Sequence, residues 1–191
     1  MIAESLKTIV GLINNYVNPG FTVEPMNLAN ISKFHDGDEF VDGLRDKLIL
    51  SVVNIEEDRM VKSPENFVKV NQVIRYKNPA LHFNLTLLIA ATHEYEIALR
   101  MLEKVIRFFQ RKNVFTPSDT PQLDNRIDKL IFDLMNLNLE QVHQLWTTLG
   151  GHYMPSVVFK MRMLTIDEEF FTMEAPPITQ IIIDDKLKLP Q

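Results

Sequence analysis

The sequence predicts an α/β (α+β) fold built on a mixed β-sheet of about four to six strands, with helices flanking one side. Two observations carry this. Over residues 81–90, Leu81, Phe83, Leu85, Leu87 and Ile89 alternate with His82, Asn84 and Thr86, the period of a half-buried strand. Just downstream, Ile97, Ala98, Met101, Leu102, Val105, Ile106 and Phe109 recur at helical spacing. The period switches between Ala90 and Glu94, and strand–helix alternation continues to residue 165.

The elements follow in order. Ile2, Leu6, Ile9, Val10, Ile13 and Val17 mark an N-terminal helix, stopped by Asn18-Pro19-Gly20. Residues 21–41 read as a long connection with one short strand at 21–24. Residues 46–55 form a strand that is apolar on both faces, with Leu48, Leu50 and Val52 on one and Ile49, Val53 and Ile55 on the other, as expected for a central position. Residues 56–79 are polar, punctuated by Pro64 and Pro79, with a weaker edge strand at 67–76. The strand at 81–90 enters a helix at 93–112. Residues 113–125 form a loop with Pro117 and Pro121, and residues 126–134 a further strand.

Asn138 and Gln141 have the spacing of a capping box that opens the next helix. Leu139, Val142, Leu145, Trp146 and Leu149 give that helix its apolar face, and Gly150-Gly151 supply a left-handed stop. A last long strand covers 155–166. The expected organisation is one domain over 1–175 and a tail over 176–191. In the tail, Pro176-Pro177 precedes Ile178, Ile181, Ile182 and Ile183, a β-prone run suited to contact with another subunit.

Composition limits the function. The 191 residues are 46% hydrophobic and 24% charged, enough apolar mass for a real core. The net charge of −5 argues against a nucleic-acid partner. With no cysteine, the chain has no disulfide, thiolate metal site or cysteine nucleophile. Glu4 and Lys7 interrupt the first apolar pattern, against a secretory leader, and no apolar run is long enough to predict membrane insertion.

The residues give no sign of catalytic equipment. His35, His82, His93, His143 and His152 show no metal-ligand spacing, and no phosphate-binding glycine motif occurs. His93-Glu94 reads as a solvated first-turn pair. Asp36, Asp38, Glu39 and Asp42 surround Gly37 but lack the ligand period of a calcium loop. Arg107, Arg111 and Lys112 complement a helix C-terminus. No catalytic, cofactor-binding or metal-binding residue is expected, and no cofactor.

One segment is specific. Residues 144–162 read Gln-Leu-Trp-Thr-Thr-Leu-Gly-Gly-His-Tyr-Met-Pro-Ser-Val-Val-Phe-Lys-Met-Arg. With residues 48–58 and 79–92, this resembles the cap, or tube-terminator, proteins of contractile injection systems, which are similar in role to phage tail terminators. The resemblance spans residues 5–182. It implies a structural, non-enzymatic protein that forms a ring with itself, a hexamer, at the baseplate-distal end of a phage tail-like particle. Such a ring ends polymerisation of the inner-tube and sheath proteins and joins the two. It implies assembly in the cytoplasm, with the particle released or membrane-anchored. Trp146, Leu149, Gly150, Tyr153 and Pro155 would fix a helix-to-strand corner. The loops at 24–42 and 56–79 and the tail at 176–189 would make contacts. The residues leave three alternatives open: a small ligand-binding or regulatory α/β domain, an enzyme that draws Asp, Glu and His from different loops, and the tail terminator of a true contractile phage.

Overall fold

In a computed structural model, the described residues are 1–18, 25–35, 43–58, 67–70, 73–77, 80–166 and 171–175. The elements run α1 (Ile2–Val17), β1 (Met26–Leu28), a 3-10 helix (Ile31–His35), β2 (Leu48–Glu57), β3 (Phe67–Val70), β4 (Val73–Lys77), β5 (Leu81–Ala91), α2 (Tyr95–Arg111), β6 (Val114–Phe115), β7 (Leu130–Leu134), α3 (Leu139–Thr148), β8 (Ser156–Ile166) and β9 (Phe171–Ala175).

The backbone groups into two compact units, Met1–Val61 with Leu81–Ile166, and Lys62–Ala80 with Asp167–Gln191. The first holds a six-stranded mixed sheet ordered β1-β2-β5-β8-β7-β6. Only β1–β2 is parallel; every other pair is antiparallel. The second holds an antiparallel three-stranded sheet ordered β3-β4-β9.

In the first unit, sequence alternation sorts side chains onto two faces. Leu48 and Leu50 of β2, Leu85, Leu87 and Ile89 of β5, and Phe159 and Met161 of β8 join α1 and α2 in the main core. Ile9 and Ile13 of α1 and Val105 of α2 are fully buried there, each contributing about 1.5–3 kcal/mol through burial. An aromatic cluster ties α2 to the far strands. Phe109 lies 4.5 Å from Phe159 and 4.8 Å from Phe132, and Phe108 stacks 5.9 Å from Phe115. The two long helices thus cover one face, as the sequence predicts. The short α3 and the 3-10 helix add a smaller apolar cover on the other, where Ile31, Ile49, Leu88, Ala90, Trp146 and Val158 meet.

Several expectations are corrected. The strand at 21–24 lies outside the described residues, and the strand nearby is β1. Asn14 explains it. Its side-chain amide donates to the Met26 carbonyl (3.0 Å), and its oxygen accepts from the Met26 amide (2.7 Å), which holds β1 at the sheet edge. The strand expected at 46–55 starts at Leu48, after Asp46 turns the chain with φ 53°. It is buried on both faces only over 48–51, because β1 pairs with it only at 48–50. The single edge strand expected at 67–76 is a hairpin, β3 and β4, that closes at Val70↔Val73. The strand expected at 126–134 begins at Leu130, and the loop expected at 113–125 contains β6. In α2, Ile97 and Ile106 are exposed, whereas Phe108 is buried.

Candidate interaction surface

The corner that follows Asn138 is built from α3 outward. The Asn138 side chain accepts from the Gln141 amide (2.8 Å), and Gln141 Oε1 accepts from the Asn138 amide (2.9 Å), so the capping box forms as its spacing dictates. Two turns later Trp146 is buried under the sheet, at 4% exposure. Leu139 belongs to the same apolar pattern but is exposed, at the first residue of the helix.

The helix stops by backbone geometry. The Gly151 amide donates to the Trp146 carbonyl (2.7 Å), and the Leu149 amide to the Leu145 carbonyl (3.1 Å). Gly150 and Gly151 have φ of 113° and 81°, which a side chain would strain although there is open space around both. Tyr153 then lies edge-on to Trp146, at 5.9 Å and 67°, with most of its ring in solvent. The Pro155 carbonyl accepts from the Ala91 amide (3.0 Å), which starts β8 alongside the end of β5. Trp146 and Tyr153 thus meet, while Gly150 lies in the helix stop and Pro155 at the start of β8. Leu149, half-buried, faces the apolar cluster beneath it.

Two grooves flank this corner. One, of about 310 Å³, runs past Trp146, Leu137, Val142, Tyr153 and Val158. Within it Trp146 Nε1 is buried with no hydrogen-bond partner among the described residues. The other, of about 590 Å³, is lined by Ile2 and Leu6 of α1, Val52 and Val53 of β2, and Leu149.

Away from the grooves the sheet carries paired charge. Arg162 meets Asp133 at 2.7 Å, and Lys160 meets Glu56 at 3.4 Å. Of the cations read as helix-end complements, Arg107 pairs with Glu103 one turn before it. Lys112 pairs with Asp119 at 3.0 Å and stands 4.8 Å over the Phe115 ring. The Asp119 carboxyl is held well below the usual carboxylate range by the Thr116 amide, Lys112 and Thr120. Asp124 is lowered to about 2 by hydrogen bonds from Arg126. His93 is lowered by burial, opposed by the charge of Asp46. The two carboxylate shifts belong to contacts that fix the segment between β6 and β7. Among the described residues no three His, Asp or Glu side chains are grouped to hold a metal, and no helix is long and apolar enough to cross a membrane. The acidic residues Asp36, Asp38, Glu39 and Asp42 lie outside the described residues, as do Pro176, Pro177, Ile178, Ile181, Ile182 and Ile183.

Sequence reasoning missed Asn14, a buried polar residue of α1. It also missed Ser51, whose hydroxyl donates to the Ala29 carbonyl (2.6 Å) and accepts from the Ile31 amide (3.0 Å). A lone serine inside an apolar strand was the available signal.

The fold and surface define an α+β scaffold whose prominent features are apolar grooves and interlocked strands. The chain belongs to the Pvc16 N-terminal domain family, whose sequence profile matches residues 6–180. Its fold is similar to that of the sheath/tube terminator of PVC, an extracellular contractile injection system, in its extended state. That match has a TM-score of 0.63 at 12% identity and covers 100% of this chain and 66% of that one. The fold is also similar to the tube-terminating cap of the anti-feeding prophage, with a TM-score of 0.59 at 12% identity over 95% of this chain and 59% of that one. The chain therefore spans somewhat under two-thirds of the length of these relatives. No curated protein matches it significantly.

Proposed function

We propose that this chain is a structural terminating cap of a contractile injection system. Copies of it form a six-membered ring at the baseplate-distal end, which ends inner-tube and sheath growth and joins the two. The observation that carries the reading is the family match over residues 6–180 together with a shared fold over the full chain. A terminator must offer one face complementary to the last tube ring and none that templates another, and a closed ring with heterologous contacts meets both conditions.

The contact surfaces we assign are the loops at 24–42 and 56–79 and the tail at 176–191, with the domain ending near residue 175. Assembly takes place in the cytoplasm, into a particle later released or anchored. Its partners are copies of itself, the inner-tube protein and the sheath protein, with no nucleic acid and no membrane insertion. Gold labelling of an epitope-tagged chain on purified particles tests the placement. Label confined to the end opposite the baseplate is expected, and label along the shaft or at the baseplate contradicts it.

A further inference from the structure

β1 covers the outer edge of β2 only at residues 48–50. Beyond that point Ser51 ties off Ala29 and Ile31, and the chain turns into the 3-10 helix. Among the described residues no strand pairs with the outer edge at 52–57. The backbone there is locally capped, with the Ile55 amide donating to the neighbouring Asn54 Oδ1 (3.0 Å). Two apolar side chains are left in solvent, Val52 at 36% and Ile55 at 48% exposure. At Val52 and Val53 this edge borders the second groove, which α1 lines on one side and Leu149, just after α3, on the other. An unpaired strand edge in an apolar cleft is a template for an added strand.

We infer that this edge accepts residues 178–183 of a second copy of the chain as an added strand. The fit is chemical. A strand inserted there is covered on both faces, so it needs apolar side chains at consecutive positions. Ile181, Ile182 and Ile183 supply them. Charge selects the direction. Glu56, Glu57 and Asp58 stand at the far end of β2 with Lys160 paired to Glu56, which leaves that end net acidic, and the exposed Lys33 comes two residues after Ile31, whose amide Ser51 holds near the start of the uncovered edge. An antiparallel strand carries Asp184 and Asp185 toward Lys33, whereas a parallel one sets them against the β2 acids. Residues 181–183 therefore lie beside Val52. The inference rests on the ring reading and names the contact between neighbours.

The chain has no cysteine, so introduced thiols report without background. A size-tagged full-length Val52→Cys protein is mixed with untagged Ile181→Cys, Ile182→Cys or Ile183→Cys protein, under mild oxidation. A mixed disulfide is expected, several-fold above that of a Tyr95→Cys control on exposed α2, with one of the three positions dominant. Equal yields at all three, or yields no higher than the control, overturn the inference. So does a doubly substituted Val52→Cys, Ile182→Cys chain that closes on itself at high dilution. If particles lacking the chain lose their end while no mixed disulfide forms, the cap reading stands and the strand docking falls. The reverse pattern removes the cap reading alone.

Discussion

Trp146 concentrates the physics of the corner in one side chain, because the sheet, α3 and Tyr153 all pack on it. Trp146→Ala should cost about 3–5 kcal/mol of stability in denaturant unfolding. Its buried Nε1 lacks a partner among the described residues, so Trp146→Phe should cost less than the loss of ring area alone would suggest. Gly150→Ala should cost about 1–2 kcal/mol from backbone strain, since nothing crowds the position. His93 gives a pH signature. Its pKa is depressed by burial in the folded state, so the unfolded chain takes up its proton first. The stability that neutral His93 allows is full above the ordinary value of 6.5 and is lost as pH falls below it. Unfolding midpoints at pH 7.5 and 5.5 should therefore differ less in His93→Gln than in the parent. At this scale the tryptophan and the glycine stop were legible in the sequence, because bulk and positive φ leave marks in residue type. Asn14 was not legible. Its partners, the Met26 amide and carbonyl, are fixed only once the chain has folded back.

At the scale of elements, local signals and tertiary pairing divide the sheet. The capping box of α3 is local, and Asn138→Ala should cost about 1 kcal/mol while leaving the helix in place. Asn14→Ala is a different test. It strands the Met26 backbone groups, costs about 1–3 kcal/mol, and should raise hydrogen exchange at Met26–Leu28 well before exchange rises in β5. The long elements β2, β5, α2 and β8 were readable because each carries its period over several repeats. β1 and β6 are three and two residues long, too short for a period, and exist only through Asn14 and through pairing with β7. The hairpin β3–β4 was read as one strand. Val70 pairs with Val73, so the two apolar runs stand too close in sequence for a period to separate them.

At the scale of the whole molecule, the sequence carried the fold class and the family resemblance, through the pattern at 144–162 and the order of the long strands. It did not carry the assignment of β3, β4 and β9 to a sheet of their own, because that grouping joins segments some ninety residues apart, beyond any local pattern. Removal of residues 176–191 should leave the six-stranded sheet folded, with an unchanged far-ultraviolet spectrum, and should weaken association between copies in sedimentation. The central claim is that this chain ends a growing particle. Electron microscopy of particles from cells lacking it tests that claim most directly. Tubes and sheaths of uncontrolled length, or particles missing the end opposite the baseplate, are the predicted result. Particles of normal length with both ends intact would contradict it.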